Sequence, residues 1–126
     1  MNCATNKDSG NSALALAIAY YGSNGYTVSI PLNDTQDYDL IVDDGTLKRV
    51  QVKSTRYNPT GTFYKVSLKS SGGTKGVIYK HVVDTEVEIL FVVTCEKTMY
   101  EIPIDKVIVR SQITLNEDFD KFIVTI

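Results

Sequence analysis

The sequence predicts an α/β fold built on one mixed β-sheet with few helices. Three observations predict it. The stretch ALALAIAYYG has the composition of a single apolar helix. Short runs such as YTVSI, YDLIVD and FYKVSL alternate with the period of two expected of strands. The run from Val87 to Cys95 is rich in β-branched residues and apolar from Ile89 to Val93, the signature of a central strand buried on both faces.

The elements follow in order. Residues 1–10 are polar and expected to fray. Asn11 or Ser12 can cap the helix, which runs to about Tyr21, is apolar nearly all round and is expected to be sandwiched. Gly22 to Gly25 end it. Tyr26 to Ile30 reads as a strand and Pro31 to Gln36 as a loop. A hairpin then joins Tyr38–Asp43 to Leu47–Lys53 through the Asp44-Gly45 turn. Ser54 to Thr62 is a polar loop, Phe63 to Leu68 a strand, and Ser70 to Gly76 a flexible connection. After the central strand, a turn at Glu96-Lys97 brings back Thr98 to Ile104. Asp105 to Arg110 is expected to open a short helix, and Phe119 to Ile126 to end the chain as a strand or extended tail. No internal repeat or linker interrupts this order, so residues 1–126 are expected to form one domain.

Composition bounds the function. Hydrophobic content of 43% and charged content of 22% fit an ordinary soluble protein. No apolar run reaches the length of a membrane span, and no basic segment leads into an apolar one at the start. A cytoplasmic, intracellular location is expected, with phage encoding open. Cys3 and Cys95 have no metal-ligand spacing and are expected to be free thiols.

The segment Asp37 to Thr55, DYDLIVDDGTLKRVQVKST, carries the chemistry. Asp39 opens one strand of the hairpin, while Gln51 and Lys53, two apart, share a face of the other. The hairpin folds them back beside Asp39. A carboxylate and an amide oxygen can ligate a divalent cation. An adjacent ammonium can position a water or offset charge developing on a phosphate. That combination is what phosphodiester hydrolysis requires. Asp37, two residues before Asp39, could share its face.

Charge distribution points to the same substrate. Net charge is −2, yet the eight residues Lys48, Arg49, Lys53, Arg56, Lys65, Lys69, Lys75 and Lys80 fall between Leu47 and Val82, a window without one Asp or Glu. Such segregation gives a positive face on an acidic body, the footprint of a phosphate-backbone binder. A solvated lysine-rich loop is the plainer alternative. Arg56, Lys65, Lys69, Lys75 and Lys80 are the candidates for backbone contacts, with Ser54 and Thr55 able to bond a phosphate oxygen or to cap the strand end. Tyr57, Tyr64 and Tyr79 lie among them and can stack on bases or pack in the sheet. His81, the sole histidine, has no partner for zinc and suits a strand edge.

Asp39, Gln51 and Lys53, with GYTVSIPL, YDLIVDDG and RVQVKST around them, resemble the PD-(D/E)xK nucleases over about residues 9 to 110. The likeness is first to the small endonucleases that include group I intron homing enzymes, and next to archaeal-type Holliday-junction resolvases. It implies a restriction-endonuclease-like sheet, DNA as partner, Mg²⁺ or Mn²⁺ as cofactor, and a homo-oligomer, dimer or tetramer, to cut both strands. It also implies the Val52 carbonyl as a metal ligand beside Asp39 and Gln51. Two departures stand out. Gln51 replaces the acid of the (D/E)xK half, and the glutamate that relatives carry on the core helix falls, counting back from Gly25, on Ala13 or Leu14. No Asp or Glu occurs between Asp8 and Asp34. Asp8 or Asp37 is the available substitute, and a catalytically impaired DNA-binding protein on a nuclease scaffold is the alternative reading.

Overall fold

The computed structural model describes residues 6–33, 35–55, 63–70, 80–109 and 111–126, the side chains of residues 6–8, 70, 80, 81 and 84 excepted. A six-stranded mixed sheet forms the body, in the order β1 (Thr27–Ser29), β2 (Leu40–Asp43), β3 (Leu47–Thr55), β7 (Ile89–Thr94), β8 (Met99–Pro103) and β10 (Ile123–Val124). All neighbours are antiparallel except β3 and β7, which run parallel with Gln51 opposite Leu90 and Lys53 opposite Val92. Two short ribbons complete the fold: β4 (Lys65–Ser67) with β9 (Gln112–Thr114), and β5 (Lys69–Ser70) with β6 (Lys80–His81). The mixed sheet with few helices, restriction-endonuclease-like, is the architecture that the sequence predicts.

The helix α1 spans Asn6–Ser23 and lies on one face of the sheet. Ala13, Ala17 and Tyr21, one turn apart, press against Leu40, Val42, Val50, Ile89, Phe91 and Val93. Ala15 and Ala19 on the outer side are exposed, so the helix is not sandwiched as its composition suggests. Alanine accounts for the difference, because it adds helix propensity without demanding burial. The helix also begins ahead of its expected cap, taking in residues 6–10. Lys97 Nζ in the β7–β8 turn donates to Ser12 Oγ at 2.8 Å, a tertiary contact that steadies the first turns. Its end is a Schellman motif. Tyr26 N donates to Tyr21 O and Gly25 N to Gly22 O, Gly25 has φ +85°, and the Tyr21 and Tyr26 rings meet edge to face at 5.1 Å.

The opposite sheet face carries a second core, in which Leu90, Val92, Tyr100 and Ile102 pack under Val66, Leu68, Ile113 and Leu115. Strand β7 therefore contributes to both cores and is buried at every position, as its sequence predicts. Two expectations near the C-terminus are corrected. Residues 105–109 do not continue as an α-helix: a 3-10 turn, Ile104–Lys106, gives way to extended chain at Val107, and Arg110 lies outside the described residues. The β-branched Val107, Ile108 and Val109 disfavour a helix, and Val107 is buried in the second core. Before β10 the tail makes a 3-10 helix, Glu117–Phe122, capped by Asn116. Cys95 is disulfide-bonded rather than free, with its partner outside the described residues. It lines a narrow cleft with Ser9 and Lys97, where the start of α1 meets the β7–β8 turn. No helix among the described residues is long and apolar enough to cross a membrane.

Candidate active site

The hairpin β2–β3 builds the site. Gly45, at φ +112°, donates its N–H to Asp43 Oδ1 at 2.8 Å and closes the turn that sets Leu40 opposite Val50. Alternation along β3 then assigns the faces. Val50 and Val52 turn toward α1, so Gln51 and Lys53 stand on the other side, over the row that holds Leu90 and Val92.

Asp39 sits where β2 begins. Its N–H donates to Val50 O at 2.8 Å, and its Oδ2 accepts from Val52 N at 2.8 Å and from Gln51 Nε2 at 3.1 Å. The side chain thus takes over from the strand, satisfying a β3 N–H that β2 no longer reaches. Among the described residues both donors end on Oδ2, which leaves Oδ1 as an open acceptor. Burial pushes the Asp39 carboxyl above its ordinary value, against the opposing pull of the Val52 N–H and of Lys53.

Lys53 Nζ donates to Lys69 O of β5 at 2.5 Å. Burial pushes its ammonium below the ordinary value, and Asp39 opposes that shift. Each group feels the other, yet among the described residues the two form no ion pair within 4.0 Å. Asp39, Gln51 and Lys53 are therefore brought together, with the carboxylate's burial incompletely offset.

These donors suit a hard cation: the Asp39 carboxylate, the Gln51 amide oxygen and the adjacent Val52 carbonyl are all oxygen ligands. A desolvated carboxylate with one open oxygen lacks the counter-charge that a divalent ion brings. No cluster of three or more His, Cys, Asp or Glu suited to a metal occurs among the described residues, and Asp39 is the carboxylate that Gln51 and Val52 hold. The two helix positions counted back from Gly25 differ in their surroundings. Ala13 is buried in the core, whereas Leu14 lines a cavity of about 190 Å³ together with Asp39, Tyr38, Ile30, Pro31, Asn33 and Gln36.

The remaining sequence candidates separate. Lys65 and Lys69 are exposed on β4 and β5, the strands that cover the Gln51–Lys53 row. Thr55 is buried and donates its hydroxyl to Lys65 O, which makes it a tie between β3 and β4 rather than a free phosphate contact. Ser54 and Thr55 both line the cleft beside the start of α1, and alternation along β3 puts the Ser54 side chain on the face opposite Lys53. Tyr64 Oη donates to Glu96 Oε1 at 2.8 Å, a packing role. Arg56, Lys75, Tyr57 and Tyr79 lie outside the described residues, as do the side chains of Asp8, Lys80 and His81.

Two features escape sequence reasoning. Arg49 shares the face of Gln51 and Lys53. Its guanidinium bonds Glu88 at 3.1 Å, reaches Glu86 at 3.7 Å and lies 5.7 Å from the Tyr38 ring centre, bracing the residue next to Asp39. Its i−2 spacing from Gln51 was the available signal. The second is the loop Ile30 to Gln36, whose part in the Asp39 cavity has no sequence signal beyond its proximity to the strand.

A family model described as PD-(D/E)XK endonuclease matches residues 4–122. No curated protein matches the chain. Among solved structures, that of the bacterial homing endonuclease I-Ssp6803I is similar with a TM-score of 0.75 and 27% identity, over 90% of this chain and 80% of that one.

Proposed function

The chain belongs to the PD-(D/E)XK endonuclease family and is homing-endonuclease-like, and from that premise we propose that it is a divalent-metal-dependent DNA endonuclease whose working residues are Asp39, Gln51 and Lys53. The observation that carries this reading is the meeting of a half-buried carboxylate, an amide and a partly desolvated ammonium at the mouth of one hairpin. Asp39, Gln51 and the Val52 carbonyl would hold Mg²⁺ or Mn²⁺. Bound there, the ion would supply Lewis acidity to the scissile phosphate.

The chain's own groups divide the remaining tasks. Val52 N–H and Gln51 Nε2 fix Asp39 Oδ2, so the carboxylate presents its other oxygen without losing its orientation. Lys53, held through Lys69 O, places a cation whose burial eases proton loss beside the position of the attacking water. It also offsets charge that builds on the phosphate. Lys65 and Lys69 on the covering strands, with Arg56, Lys75 and Lys80, supply backbone attraction that positions the duplex without reading its sequence. Cutting both strands calls for a second copy of the site, hence a symmetric oligomer. One domain, residues 1–126, provides all of these parts.

The test is cleavage of plasmid, linear duplex and four-way-junction DNA with Mg²⁺ or Mn²⁺, comparing the wild type with Asp39→Ala and Lys53→Ala. Loss of cleavage in both variants supports the assignment, and equal activity removes these residues from the mechanism. Preference for a unique duplex marks a homing enzyme, and preference for junctions of any sequence marks a resolvase. Salt-sensitive binding without cleavage under either metal marks the impaired scaffold, a reading favoured by Leu14 in the Asp39 cavity.

A further inference from the structure

The loop between β1 and Asp39 turns apolar side chains outward at the mouth of the site. Leu32 is fully exposed, at 105% of its reference surface, and Ile30 is 60% exposed. Pro31 between them restricts the backbone. Behind them, Asn33 Oδ1 accepts from Thr35 Oγ1 and Gln36 Nε2, both at 3.1 Å, so the tip stands on a braced base. Ile30, Pro31, Asn33 and Gln36 line the same cavity as Asp39.

A single exposed leucine needs no explanation. Two large apolar side chains flanking a proline, continuous with the cavity of a phosphodiester site, do. The segment Ile30 to Gln36 contains no Lys or Arg, so phosphate attraction is not its contribution. That attraction belongs to the basic window, whose Lys65 and Lys69 lie exposed on β4 and β5 beside Lys53. A polyanion seated against Asp39 brings its bases within reach of the loop tip.

We propose that Leu32 and Ile30 form an apolar wedge that packs into a base step of duplex DNA beside the scissile phosphate, with the Asn33 and Gln36 amides facing base edges; this inference rests on the nuclease reading. Leucine, isoleucine and proline are side chains that proteins insert between base pairs, unstacking them and bending the duplex. Amides recognise base edges by paired donors and acceptors. The wedge would give the enzyme a means of selecting deformable steps without charge.

The experiment measures binding in EDTA, so that cutting is not required. Synthetic duplexes carrying 2-aminopurine at successive positions report affinity by anisotropy and unstacking by fluorescence. Leu32→Ser and Ile30→Ser should each weaken binding about tenfold, leave the salt slope unchanged and abolish the fluorescence rise. Leu32→Met should keep both signals, and Ile108→Ser, which alters an exposed isoleucine elsewhere, should match the wild type. Wild-type affinity and unstacking in Leu32→Ser would overturn the proposal. So would a change in sedimentation mass, which would assign the tip to contact with a second copy. Parallel assays with Mg²⁺ and Mn²⁺ separate the two readings. Loop-dependent unstacking without cleavage defeats the nuclease reading alone, and cleavage indifferent to the loop defeats the wedge alone.

Discussion

Replacing Asp39 by asparagine should leave the protein at least as stable as the wild type while abolishing cleavage, and replacing it by alanine should cost stability as well. The argument starts from two hydrogen bonds, Val52 N–H at 2.8 Å and Gln51 Nε2 at 3.1 Å, both to Oδ2. Asparagine retains an oxygen there and sheds a charge that burial disfavours. Alanine strands the Val52 N–H, at about 1–3 kcal/mol for an unsatisfied buried donor. For a chain of this length each kcal/mol moves the melting temperature by roughly 3–5 °C. The sign with pH follows. The folded carboxyl titrates above the ordinary 3.8, so its favourable contribution is complete below that value and is lost as pH rises through the raised value. The asparagine variant should therefore gain on the wild type from acid toward neutral pH. Differential scanning calorimetry in EDTA across that range gives the measurement. An asparagine variant as unstable at pH 7 as the alanine variant would show that the negative charge itself holds the hairpin, and would refute the reasoning.

Three further outcomes follow from the same geometry. Leu14→Glu, which adds an acid to the cavity of Asp39, should lower the Mg²⁺ concentration needed for half-maximal cleavage, whereas Ala13→Glu buries a charge in the core and should fail to fold, as read by circular dichroism. Lys53→Met should reduce the cleavage rate by about 10²–10⁴-fold with an unchanged far-ultraviolet spectrum, the range of a positioned proton-transfer group. Phe91→Ala should destabilise by about 3–5 kcal/mol in urea, because its fully buried ring closes the α1 interface against Tyr20 and Tyr21, with both ring centres at 5.6 Å.

The sequence was legible where local chemistry and tertiary demand coincide. Asp44-Gly45 specifies its turn by local chemistry, the positive φ of Gly45 and the Asp43 carboxylate that accepts its N–H, and the alternation of β3 then decides which side chains accompany Lys53. The run Ile89–Thr94 announces its burial because no polar side chain interrupts it before Thr94. Legibility fails where a residue's state depends on distant neighbours. The first turns of α1 are polar and unremarkable in isolation; contact with the β7–β8 turn steadies them. Residues 105–110 begin with helix-compatible Asp105 and Lys106, yet Val107 is claimed by the second core. Thr55 and Ser54 are adjacent hydroxyls that the sequence treats alike. Alternation along the strand gives them opposite faces, and Thr55 alone spends its hydroxyl on a bond to β4.

The apolar Leu14 in the Asp39 cavity has a consequence for how a cation would be retained. A second carboxylate in the Asp39 cavity would strengthen cation binding but would add repulsion between two desolvated charges without the ion. With Leu14 in that place and Gln51 donating to Asp39, the ion-free hairpin is relieved of that repulsion. The corresponding loss is affinity, since each carboxylate removed from a hard-cation site removes charge from it. Phosphate oxygens of the substrate are then needed to complete the site, so cation and DNA should bind with positive coupling, each raising the affinity of the other by the same factor. Titration of Mn²⁺ followed by its magnetic resonance signal, with and without duplex, measures that factor under wild-type and Leu14→Glu backgrounds. The wild type should show weak binding alone and tighter binding with DNA, while Leu14→Glu should bind the ion alone and depend less on DNA. Equal Mn²⁺ affinity of the wild type with and without duplex would contradict the single-carboxylate account.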